Sequence, residues 1–129
     1  MTTLNPITGQ TQSQQANRLA GWVTYSSPTL VLGTLPSNFF IDRINLHVQT
    51  AFNAGGNNNL SVGYTGSQQA FGTNTAVSGT GRKSVTMGSS EGLNTTARTV
   101  TAYYTQSGGA ATTGKAFVEV FFTRVPPTP

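Results

Sequence analysis

The chain of 129 residues has no cysteine, one histidine and three acidic residues. Without cysteine there are neither disulfides nor thiolate metal sites, and the redox compartment is left open. Asp42, Glu91 and Glu119 are the whole carboxylate supply and His47 the whole imidazole supply. Acid–base and metal chemistry need several such groups converging on one point, and here none is spaced close to another. Charge of either sign is scarce as well: 8% of residues are charged, against roughly 25% in an average soluble protein. Thr, Ser, Asn, Gln and Gly take their place, which gives a neutral, hydroxyl-rich surface that packs laterally without desolvating many charges. No stretch approaches the ~20 apolar residues of a membrane span, and the opening MTTLNPITGQTQSQQ has neither the basic start nor the apolar run of a secretory signal. The expectation is synthesis in a cytoplasm with no targeting peptide and no membrane partner.

What is present is β periodicity. Hydrophobic residues make up 36% of the chain, enough for one core in a domain of this length. The block from Phe39 to Gly63 is the clearest. Phe40, Ile44, Leu46, Val48 and Phe52 alternate with Arg43, Asn45, His47 and Gln49, the period of a half-buried strand. Ala54 to Asn59 is a Gly/Asn turn, after which Leu60, Val62 and Tyr64 resume the alternation on a return strand. Further strands are expected at Gly21 to Tyr25, Thr29 to Leu35, Lys83 to Met87, Thr95 to Gln106 and Lys115 to Val125. Gly66 to Thr80 reads as a loose polar stretch with Phe71 and Val77 as anchors beneath it. About seven strands at these spacings, with no helix of normal length, predict an all-β chain: a single antiparallel β-sandwich, jelly-roll-like or immunoglobulin-like. The expected core is Ile44, Leu46, Val48, Leu60, Val62, Val100, Val118 and Val120.

Residues 1–18 read as an extended N-terminal arm, rich in Thr, Gln, Asn and Ser and broken by Pro6 and Gly9. Leu4 and Ile7 are its only sizeable apolar side chains and are candidates for interaction. The sandwich domain is expected over 19–125, followed by a Pro-rich tail at 126–129. The formal net charge is +4, from seven basic residues against three acidic ones scattered along the sequence. Arg82-Lys83 is the one adjacent basic pair, and no aromatics interleave with a basic run, so specific nucleic-acid binding is not expected.

Each potential motif has a plainer reading. Gly79 to Ser84 lacks the GxxxxGK[ST] spacing of a phosphate loop and has no helix after it, so it reads as a turn. No GxSxG elbow occurs. His47 reads as an exposed or interface histidine. Asp42 with Arg43 reads as a strand start, and Glu119, opposite the inward set Ala116, Val118, Val120 and Phe122, as one half of a cross-strand salt bridge. No catalytic, metal or cofactor-binding residue is assigned. The last strand is more suggestive: Phe117 and Phe121 fall on the face opposite Val118, Val120 and Phe122, so both of its faces carry large apolar groups. Either the chain itself covers Phe117 and Phe121 or another subunit does, and both residues join Leu4 and Ile7 as interaction candidates.

The series Ile44-x-Leu46-x-Val48-x-Thr50-Ala51-Phe52-Asn53, the Gly/Asn turn, Leu60-Ser61-Val62-Gly63-Tyr64, the threonine-rich penultimate strand, the turn from Ser107-Gly108-Gly109 to Thr113-Gly114 and the Val-rich final strand resemble small β-sandwich virion proteins of tailed bacteriophages, of the head decoration, cement or fibre-base type. The resemblance covers roughly Phe39 to Val125 and brings no catalytic residues. It implies a non-enzymatic structural protein on the capsid surface, made in the host cytoplasm, that binds the major capsid protein or other virion proteins, forms a homo-oligomer and stabilises the shell. Two other readings stay open: a tail- or fibre-associated protein, and a receptor- or glycan-binding tip, for which Tyr64 with Gln68, Gln69 and Phe71 is the candidate.

Overall fold

The computed structural model describes residues 17–90 and 92–125. The segment 1–16, Glu91 and the tail 126–129 lie outside the described residues, and with them Leu4 and Ile7. Eight strands are present: β1 (Arg18–Thr24), β2 (Thr29–Leu35), β3 (Phe39–Thr50), β4 (Asn58–Tyr64), β5 (Ser67–Ala76), β6 (Gly81–Ser84), β7 (Arg98–Gln106) and β8 (Lys115–Arg124). They form two antiparallel four-stranded sheets, ordered β1-β8-β3-β6 and β2-β7-β4-β5. The chain is thus the all-β sandwich that its alternation predicts, with no helix among the described residues. All eight expected core residues are buried, joined by Val23, Phe39, Phe52, Phe71, Val77 and others. Inward residues of β3 and β8 face those of β4 and β7, because side chains two apart on a strand share one face.

The Gly/Asn segment after β3 is not a hairpin turn. β3 and β4 belong to different sheets, so residues 51–57 cross from one layer to the other. Phe52 lies beyond the end of β3, buried and packed against Tyr104 in a tilted pair with ring centroids 4.4 Å apart. Asn58 fixes the arch. Its Oδ1 accepts from the Ala54 N–H at 2.8 Å and from the Tyr104 hydroxyl at 2.6 Å, and its Nδ2 donates to the Ala54 carbonyl at 3.2 Å. Burial raises the Tyr104 hydroxyl above its ordinary pKa, which keeps it a donor in this bond. The arch also clasps the β7–β8 loop: the Gly55 and Gly56 N–H groups donate to the Gly109 and Ser107 carbonyls at 2.8 and 2.7 Å.

Three further differences have local causes. The register of β3 against β8 shifts between Ile41 and Arg43; the extra residue inverts the phase, so Phe39 and Ile41 are buried while Phe40 is only half-buried. Asp42 therefore stands at a bulge inside the strand rather than at its start, accepting from the Thr123 hydroxyl at 2.7 Å. The stretch expected to be loose contains β5, paired to β4 through the two-residue turn Thr65-Gly66, where Gly66 has φ +92°. Finally, β1 begins at Arg18 rather than Gly21, and β6 covers Gly81–Ser84, so the supposed turn at Gly79 to Ser84 runs into an edge strand.

Candidate interaction face

The outer face of the β1-β8-β3-β6 sheet collects most of the side chains with chemical character. Antiparallel register places Trp22 of β1 opposite Phe117 of β8, which lies opposite His47 of β3, itself opposite Arg82 of β6. The adjacent row runs Ala20, Glu119, Asn45, Ser84, and the next runs Arg18, Phe121, Arg43. These residues are distant in sequence and are brought together only by the sheet. Cross-strand neighbours on one face lie within side-chain reach, so they interact pairwise.

Glu119 is the hub of the middle row. Arg18 Nη1 donates to its Oε2 at 2.6 Å and His47 Nε2 donates to its Oε1 at 2.7 Å. The salt bridge expected for Glu119 is therefore present, with Arg18 as its cation. The histidine that looked isolated in the sequence is the second partner. Burial pushes the Glu119 carboxyl up, but the hydrogen bonds from His47 and Arg18, and the charges behind them, outweigh this and hold it below the usual glutamate value. The trio lies on the outer face of the sheet, with the side chains of Arg18 and His47 more open to solvent than that of Glu119. Among the described residues no group of three or more His, Asp or Glu comes together.

Three aromatic residues of this face carry a cation. The Arg43 guanidinium lies 4.1 Å from the Phe121 ring centroid, Lys115 Nζ 4.7 Å from that of Trp22, and the Arg18 guanidinium 5.9 Å from that of Phe117. Trp22 and Phe117 pack at 5.0 Å between centroids. Phe117 and Phe121 are half-buried by these neighbours, while Trp22 remains 46% exposed. The chain itself thus covers the two phenylalanines only in part. Trp22 was missed in the sequence because Gly21 and Ala20 blur the alternation of β1. Its parity with Arg18 was the available signal.

Charge is also sorted by sheet. The strands of this sheet contain six of the seven Lys and Arg residues, Arg18, Arg43, Arg82, Lys83, Lys115 and Arg124, with Asp42 and Glu119. These six cations and two carboxylates amount to the chain's entire formal net charge of +4, since Arg98 and Glu91 cancel elsewhere. Basic residues scattered in sequence are gathered by topology. The outer face of the other sheet is neutral, built from Thr99, Thr101, Tyr103, Thr105 and their neighbours, with Val31 61% exposed.

The tip candidate presents no fully exposed ring. Phe71 is fully buried, and Tyr64 packs against it at 5.7 Å beneath the Arg98 guanidinium, which lies 4.2 Å from the Tyr64 ring centroid. Gln68 and Gln69 are exposed, and Gln69 is engaged by the Asn74 N–H at 2.9 Å. An open cleft of about 340 Å³ lies instead beyond the Trp22 end of the basic face, lined by Thr24, Tyr25, Ser26, Thr50, Thr112, Thr113, Gly114 and Lys115.

No protein-family model matches the chain, and no curated protein does. Solved structures do. A chain of the cyanophage Pam1 capsid asymmetric unit superposes with a TM-score of 0.63 at 18% identity, covering 84% of this chain and 84% of that one. A chain of the acidic stable capsid structure of Helicobacter pylori bacteriophage KHP30 superposes with a TM-score of 0.63 at 14% identity, covering 85% of this chain and 87% of that one. At these identities the likeness establishes a shared fold.

Proposed function

We propose that the protein is a non-enzymatic bacteriophage virion component that decorates and cements the capsid shell. The observation that carries this reading is the match, over 84% and 85% of this chain, to chains of two phage capsid structures. Near-equal shares covered on both sides mean that the matched chains are close to this one in length. The winding supports it. Six of the seven connections between consecutive strands pass from one sheet to the other, and we read this arrangement of eight strands as a jelly roll, an architecture common in viral capsid domains. Fold alone does not fix function, but the surface agrees with an adhesive role. The neutral threonine-rich face suits packing between copies of this chain in a homo-oligomer, because hydroxyls are desolvated at far lower cost than charges. The opposite face is built for a different partner. Binding only to the assembled shell would stabilise it by mass action.

Labelling of intact particles with an antibody to this protein tests the assignment. Heads should be decorated, and particles that lack the protein should release their genome at lower temperature, with recovery on adding the purified chain back. Label confined to tails, or no label on particles, overturns the reading.

A further inference from the structure

We propose that the outer face of the β1-β8-β3-β6 sheet docks onto a carboxylate-rich surface of another protein in the particle; this deepens the capsid reading and rests on it. The face presents Arg18, Arg43, Arg82 and Lys115, all exposed, and Glu119 is already engaged by Arg18 and His47. Arg43, Arg82 and Lys115 are left with no carboxylate at ion-pair distance among the described residues, since the Arg18 cation is the one paired with Glu119. The Arg43 guanidinium carbon lies 4.1 Å over the Phe121 ring, and a guanidinium stacked in this way keeps its in-plane N–H donors free to match a carboxylate two at a time. Stacking also holds the side chain in place, so less rotamer freedom is lost on binding. Beside these donors, Trp22 supplies exposed apolar area next to Phe117, the combination of aromatic and Arg that anchors interfaces.

Charge selects among possible occupants. A second copy laid face to face would oppose like charges, and the chain's own residues 1–17 contain no acidic side chain to neutralise them. A nucleic acid would need free rings for base stacking or a continuous basic track; here Trp22, Phe117 and Phe121 already have cations over them, and Glu119 interrupts the basic residues. An acidic protein surface answers both the donors and the apolar strip.

The test uses the full-length chain and purified particles that lack it. Three forms are titrated onto the particles: wild type, Arg43→Gln with Lys115→Gln, and a control with Thr65→Glu and Thr96→Glu, which makes the same net charge change at two exposed loop positions outside both sheets. The first double variant should bind about tenfold more weakly or worse, and the control within about twofold of wild type. Wild-type binding should also weaken steadily as NaCl rises. Equal losses in the two double variants, or an unchanged affinity for Arg43→Gln with Lys115→Gln, overturn the proposal while leaving the capsid reading intact. Wild-type protein that binds no particles overturns both. Tight binding to a single-stranded oligonucleotide, abolished by the same two substitutions, assigns the face to nucleic acid and overturns the protein partner.

Discussion

Val118 sits in the middle of β8, fully buried between β1 and β3, with Gly21 and Leu46 as its register partners. A carboxylate there would be unpaired, and an uncompensated buried charge costs several kcal/mol, about 3–5, against a total stability of about 5–15 kcal/mol. Val118→Asp is expected to prevent folding, checked by loss of a cooperative melting transition. One residue along, Glu119 carries the opposite lesson. Its carboxyl is held below the usual value in the folded state, so it contributes stability above its unfolded pKa and loses that contribution as pH falls through the folded one. Wild type should therefore melt above Glu119→Gln at neutral pH, and the difference should shrink as the solution is taken to the acid end of the carboxylate range. Arg18 is 44% exposed, which limits the difference to below about 1 kcal/mol. Parity along β8 made Glu119 and its salt bridge legible from sequence. Neither partner was, because Arg18, His47 and Glu119 share no local spacing and meet only through the β1-β8-β3 register.

At the scale of elements, long strands with strict alternation were read correctly and exceptions were misread. β5 packs Ala70, Phe71 and Gly72 in succession rather than alternately, since two register shifts against β4 break its phase. A polar edge strand with that pattern looks like a loop. The Gly/Asn segment after β3 was read as a hairpin because its composition fits one, yet the same residues are needed where two loops touch. Gly108 has φ +78°, and a Cβ there would stand 2.6 Å from the Gly56 nitrogen, whereas a Cβ on Gly109 would meet nothing within 4 Å. The two neighbours should therefore respond differently. Gly108→Ala is expected to lower stability by about 1–3 kcal/mol, from backbone strain and the forced separation of the loops. Gly109→Ala should lie within about 0.5 kcal/mol of wild type. Denaturant midpoints measured side by side decide the matter: equal midpoints would mean that the loops do not hold each other as described.

For the molecule as a whole, the sandwich divides its surface into a neutral sheet face and a basic one, while residues 1–16 lie outside the described residues. Among the described residues the core is built mainly by the two sheets, with Val23 from β1, Phe39 and Val48 from β3 and Ala116 and Phe122 from β8 in one cluster with residues of β4, β5 and β7 and with Phe52, Val77 and Val85 just beyond strand ends. We propose that the N-terminal segment, with Leu4 and Ile7, is a second particle-binding element beside the basic face. Deleting residues 1–15 should then leave melting of the purified domain within a few degrees of the full chain, because every core residue identified among the described residues is kept. The same deletion should weaken attachment to particles, and it should add to the loss caused by Arg43→Gln with Lys115→Gln if the two surfaces bind independently. Unfolding of the shortened chain would make the segment part of the domain rather than a binding element. Full occupancy and affinity after the deletion would leave the basic face, with Phe117 and Phe121 under its cations, as the attachment surface. The combined variant separates these outcomes, since two elements in one interface should show the coupling that independent ones lack.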